Sequence, residues 1–221
     1  MDSHSIWAYV HILLFVYWLG ADAGLYLAMA MVKNPVLSFE TRTTLIRLAF
    51  YIDLFPRITF ALILPVGMHL TRDLGLYPIG DGLLALSWII GILWSGVHLG
   101  IARYKGTPAG TIFRSINKIY EAVGGLFFVS VAVLSIVTGA PIDTPWFAWK
   151  LLAFGLIFWV ILGFDTMFQP FTTILRMGPD GSTPEIEKRV TRMTRMTMAW
   201  SVLLYLLIAA VAFIGKVKPL L

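Results

Sequence analysis

Cysteine is missing altogether from this chain, and charge is scarce: 13% of its 221 residues are Asp, Glu, Lys or Arg. The first absence removes disulfides, thiolate metal sites, iron–sulfur clusters and thiol nucleophiles in one step. The second argues against water as the solvent. A soluble domain carries about 25% charged residues, and a chain that is 58% hydrophobic has too few polar side chains to cover its surface in water. Catalytic signatures are equally sparse. There is no HExxH zinc motif, P-loop, GxSxG elbow or GxGxxG turn, and no TVGYG-like potassium filter. No polar stretch is long enough for a soluble catalytic domain, so any chemistry belongs inside a membrane bundle.

What is present is six apolar segments, at about residues 6–32, 45–70, 83–102, 119–137, 146–168 and 198–214. Each approaches or exceeds the roughly 20 residues a helix needs to cross bilayer hydrocarbon. The chain therefore reads as one all-α transmembrane domain, residues 1–221: a polytopic integral membrane protein with a bundle of about six helices. The first segment has no basic residue ahead of it and no clear cleavage site before its charged flank, and at about 27 residues it exceeds the roughly 7–15 apolar residues of a signal peptide. It reads as a retained helix and not as a removed signal peptide. Asp53, Pro56, Arg57 and Pro65 interrupt the second segment, and its prolines are expected to bend it. A cytoplasmic loop of about residues 170–196 contains turn residues, then a short helix from Glu185 leading into the final span.

Charge sets the orientation. Twelve of the 17 Lys and Arg residues fall in or beside the first, third and fifth connections, against Arg72, Lys150, Lys216 and Lys218 on the opposite side. The positive-inside rule then places the odd-numbered connections in the cytoplasm and both termini outside. The same placement accounts for the net charge of +5, so no nucleic-acid partner is expected. The expected location is a bacterial inner membrane. Lipids are the expected partners there, with a redox protein or larger membrane complex as a further candidate.

Ionisable groups inside apolar spans are costly and mark function. Here they are Asp22, Asp53, Arg57, His11, His69, His98, Glu121 and Asp165. At about 1.5 Å per residue, His11 lies about 8 Å inside the outer end of the first helix. His69 comes at the outer end of the second. Their shared depth makes them candidate axial ligands of a haem iron. The alternative is a cross-helix hydrogen bond for His11 and an end cap for His69. His98 sits a membrane thickness away, where Asp165, or Asp53 and Arg57, could join it in a proton path, a quinone pocket or a structural network. Asp53 and Arg57, four residues apart, read as an intrahelical ion pair. Asp22 has Arg57 as its candidate partner. Glu121 follows Lys118 and reads as a hydrated interfacial acid. Lys150, beside Trp149, either snorkels to water or meets a porphyrin propionate.

Residues 11–20, HILLFVYWLG, resemble the H…WxG first helix of the HemJ-type protoporphyrinogen oxidases and the related CopD-like membrane domains. The resemblance continues in residues 57–67, RITFALILPVG, in 149–152, WKLL, and in 215–219, GKVKP. It touches four of the six predicted helices through short motifs. It implies a haem-associated redox bundle. His11 matches the family's first-helix histidine, Lys150 its basic position in a later helix, and the Arg57 region part of the internal site. The oxidase branch converts protoporphyrinogen to protoporphyrin and passes electrons onward. The CopD-like branch implies copper handling, with His and Met as ligands.

The leading expectation is a membrane electron-transfer protein or oxidoreductase subunit containing haem b, linked to a quinone or acting on a porphyrinogen. His11 and His69 would ligate the metal and Lys150 would contact the cofactor. Asp22, Asp53, Arg57, His98 and Asp165 are the candidates for a proton or electron path. Two other classes stay open: a transporter or copper-handling permease-like component using the same polar residues, and a noncatalytic subunit whose polar groups only specify packing.

Overall fold

Prolines and small polar residues decide where the helices of this chain begin and break. The computed structural model describes residues 3–167, 174 and 183–219. Its helices are α1 (Ser3–Val32), α2 (Phe39–Ile52), α3 (Leu54–Asp73), α4 (Asp81–Arg103), α5 (Pro108–Thr138), α6 (Pro145–Met167) and α7 (Pro184–Val217). The fold is all-α. Taking α2 and α3 as one path, six helices are long and apolar enough to cross a membrane.

The start of α5 illustrates the local logic. Thr107 accepts a hydrogen bond from the Gly110 N–H, and Pro108 occupies a first-turn position where its missing N–H costs nothing. The end of α5 is Gly139, in the left-handed region at φ 72°. Helix α7 repeats the pattern with Thr183 as cap, Pro184 behind it, and Glu185 and Glu187 in the first turn. The α2–α3 break has an equally direct cause. Pro56 lacks the N–H that would bond the Ile52 carbonyl, and its ring crowds that carbonyl, so α2 stops at Ile52 and Asp53 caps it.

Two helices are longer than the apolar segments that announce them. The short helix expected from Glu185 and the final span are one continuous helix of 34 residues. At about 1.5 Å per residue that is ~51 Å, more than the ~30 Å of bilayer hydrocarbon, so its first turns lie beyond the lipid core. Likewise α5 begins at Pro108, well ahead of the apolar run at 119. Hydropathy detects where a helix enters lipid and is blind to where it nucleates.

Packing runs around a ring. Helix α1 lies against α3, α3 against α4, α4 against α5, α5 against α6, α6 against α7, and α7 closes back on α1. The middle of the ring is aromatic. Phe60 meets Trp18, Trp94 and Phe158 at ring centroids of 4.8, 5.4 and 4.7 Å, and Trp94 stacks on Tyr120 at 5.6 Å. These rings lie in one buried cluster with Ala61, Ile157 and Ile208. The outward faces are apolar as well: Ile12, Leu27, Ile92, Ile119, Leu126 and Leu206 are all at least 59% exposed. An inside-out surface of that kind suits a helical bundle embedded in lipid.

Candidate functional site

Helices α3, α4, α5 and α6 each bring polar side chains to one place, toward the end of the bundle that carries the basic connections. Arg57, one turn into α3, is the hub. Its Nε donates to Asp53 Oδ2 at 2.7 Å, and its Nη1 and Nη2 donate to the two carboxylate oxygens of Asp165 on α6 at 3.0 and 2.8 Å. A planar guanidinium satisfies a carboxylate in this two-pronged way, which a lysine cannot reproduce.

Asn117 on α5 extends the network. Its amide Nδ2 donates to Asp165 Oδ2 at 2.7 Å and to Glu121 Oε1 at 2.8 Å, so one NH₂ joins two carboxyl groups. Its Oδ1 accepts the Trp94 indole N–H at 2.8 Å, which ties the network to the aromatic centre. Asn117 and Glu121 are both fully buried at 0% exposure. The expectation of a hydrated interfacial Glu121 is therefore corrected. The four-residue step from Asn117 to Glu121 turns both inward, while Lys118 sits one position round the helix on another face.

His98 and Asp22 flank this core. His98 is 3% exposed, lies 5.7 Å from the Trp94 ring, and sits in the electrostatic field of Arg57 and Asp165. Asp22, on α1, is 8% exposed and faces Asp53 and Arg57 electrostatically without an ion pair among the described residues. The Glu121 carboxyl lies within hydrogen-bonding reach of Asp165, whereas among the described residues His98 Nδ1 and Asp22 Oδ2 are buried without a hydrogen-bond partner. Groups of this kind are exceptions in a finished interior.

The charge count is lopsided. Arg57 faces Asp53, Asp165, Glu121 and Asp22. It balances one carboxylate, and burying several unpaired negative charges is prohibitive. Asp53 is a third exposed and reaches water, so the buried carboxyls without an ion pair among the described residues are Glu121 and Asp22.

Compared with protein families, curated proteins and solved structures, the chain matches none. Its chemistry has to be read from its own geometry.

At the opposite end of the bundle, the two expected ligands have different surroundings. His69 accepts the Trp88 indole N–H on Nε2 at 3.0 Å, and its ring stacks on Trp7 at 3.7 Å and 13°. That imidazole has its acceptor nitrogen occupied and one face covered. His11 lies one turn deeper on α1 than Trp7. It packs against Gly67, where an added Cβ would stand 3.7 Å from its Nε2. Lys150 is close enough to His11 to act on it electrostatically, and it has no ion pair among the described residues. Its Nζ would stand 2.9 Å from a Cβ added at Gly215, so the ammonium lies in the space that glycine leaves.

A haem held by both histidines would meet His69 either through Nδ1, which has no hydrogen-bond partner among the described residues, or through Nε2. The second route requires Nε2 to give up the Trp88 indole N–H. His11 and Lys150 are suited to such a group, as an imidazole and an ammonium for which no ion pair or hydrogen bond is found among the described residues. Among the described residues no cluster of three or more His, Asp or Glu converges on a metal position.

Sequence reasoning gathered Asp22, Asp53, Arg57, His98 and Asp165, and the structure brings all five to the same end of the bundle. It passed over Asn117 and Trp94. Both had a signal: each precedes a candidate ionisable residue, Glu121 or His98, by four positions on the same helix.

Proposed function

We propose that this protein is a proton-coupled membrane transporter or transport subunit, in which the Arg57-centred network takes up and releases protons. The observation that carries this reading is the Asn117 amide joining Glu121 to Asp165 while Arg57 already binds Asp165 and Asp53. Several acids around one guanidinium hold a proton whose removal changes every hydrogen bond in the group. Asp22 and His98, with unused polar atoms beside the cluster, are suited to bring protons to it and carry them away. A purely structural subunit would have its intramembrane polar groups fully paired. The aromatic layer around Phe60 and Trp94 suits a barrier that keeps the network from connecting to both sides at once. In this reading the membrane is a bacterial inner membrane, the basic connections face the cytoplasm, and both termini lie outside.

Reconstituted vesicles with an internal pH dye test the reading. An imposed pH gradient should collapse faster than in empty vesicles, and Glu121→Gln and Asp165→Asn should each slow the collapse at least tenfold. Collapse no faster than in empty vesicles, or unchanged rates in both variants, overturns it. Collapse that requires an imposed sodium gradient identifies the transport as sodium–proton exchange and keeps the proton site.

His11 beside Lys150 favours a second reading, the haem-linked oxidoreductase. His11 would bind the iron and Lys150 a propionate, and the group would supply one-electron chemistry. A reduced-minus-oxidised absorption spectrum of the purified protein, with a b-type band lost in His11→Ala, supports that reading. Stoichiometric purification without haem under ample supply rejects it.

A further inference from the structure

Helix α7 carries one exposed stripe along its whole length, and the chemistry of that stripe changes abruptly. Lys188, Arg192 and Arg195 follow one another at the helical spacings of four and three, all exposed. From Met196 onward the same face is apolar, with Met196, Val202, Leu203, Leu206 and Phe213 between 42% and 64% exposed. At about 1.5 Å per residue, Met196 to Phe213 covers ~26 Å, close to the ~30 Å of bilayer hydrocarbon. The boundary between Arg195 and Met196 therefore falls at the level of the headgroups.

At that boundary the surface is concave. Lys188, Thr191, Arg192, Arg195 and Met196 line a shallow, open groove whose surface is mostly apolar. None of its three cationic side chains makes an ion pair among the described residues; Glu187 is taken by Arg42, and Glu185, exposed three residues before Lys188, lies one turn beyond the groove. The positive-inside rule accounts for basic residues on this side, but not for three on one face around a groove that runs directly into an acyl-length apolar stripe.

We infer that this groove binds the headgroup of an anionic phospholipid. The phosphate is held by Lys188, Arg192 and Arg195, the Thr191 hydroxyl donates to a headgroup oxygen, and the acyl chains lie along Met196, Leu203 and Leu206. Charge complementarity selects the anionic headgroup over a zwitterionic one, and the apolar continuation selects a lipid over a free anion. The lipid would brace the segment of α7 that extends beyond the hydrocarbon, next to the Arg42–Glu187 bridge that joins it to α2.

Thermal unfolding of the full chain in detergent tests this. Added phosphatidylglycerol should raise the midpoint by several degrees more than phosphatidylcholine does. The triple variant Lys188→Gln, Arg192→Gln, Arg195→Gln should lose at least half of that difference, while Arg114→Gln, a basic position on α5 outside the groove, keeps it. If the triple variant cannot be purified, Arg192→Gln and Arg195→Gln are read singly, each with a smaller loss. A full phosphatidylglycerol response in these variants overturns the site. An equal shift from glycerophosphate without acyl chains overturns the lipid as its occupant.

Discussion

Arg57 makes three hydrogen bonds to two carboxylates, Asp53 at the α2–α3 junction and Asp165 on α6. Arg57→Lys keeps the charge and loses the fork. The expected cost is about 2 kcal/mol, the scale of a lost hydrogen bond to a charged group, read as a lower unfolding midpoint in detergent. A midpoint within a degree of the parent would mean that the guanidinium geometry contributes nothing. At this scale the sequence was legible in part. The spacing of Asp53 and Arg57 announces their pairing, and Asp165 stands out as a lone acid in an apolar run. Glu121 was misread because proximity to Lys118 suggested water, whereas which face of α5 turns inward depends on tertiary packing. His69 shows the same limit. Its depth was readable, but the approach of Trp88 from a third helix was not.

The elements are held at fixed distances by glycine and proline acting together. Pro65 has no N–H to give the Ala61 carbonyl, and that carbonyl faces α4 at Gly91. A Cβ added at Gly91 would stand 2.9 Å from Ala61 O and 3.2 Å from Pro65 Cγ, both in rigid surroundings. Gly91→Val should therefore push α3 from α4 and cost about 1–3 kcal/mol. Gly96, five residues along the same helix, has nothing within 4 Å of an added Cβ. Gly96→Ala should leave the midpoint unchanged or raise it slightly. Equal effects of the two substitutions would show that helix approach at Gly91 is not a constraint. The existence of these helices was plain from hydropathy. The break at Asp53 follows from Pro56, but the single continuous α7 required seeing that Glu185 and Met198 belong to one helix.

For the whole molecule, the two ends differ in kind. One end has the basic connections, the Arg42–Glu187 bridge and the acid network. The other has both described termini, the Trp7–His69–Trp88 cluster and Lys150, which has no ion pair among the described residues. Side-chain asymmetry of that sort orients a bundle only if the charge rule governs insertion, and the absence of cysteine makes this directly measurable. Every introduced thiol is the only one in the chain. Val36 lies in the connection between α1 and α2 and is 87% exposed, while Asp143 lies exposed between α5 and α6 at the other end. Asp143→Cys should react with a membrane-impermeant maleimide in intact cells. Val36→Cys should react only after the membrane is opened. The reverse pattern would put the acid network on the outer side. Labelling of both positions in intact cells would mean that one end of the bundle does not mark one side of the membrane, and the proposed orientation would fall with it.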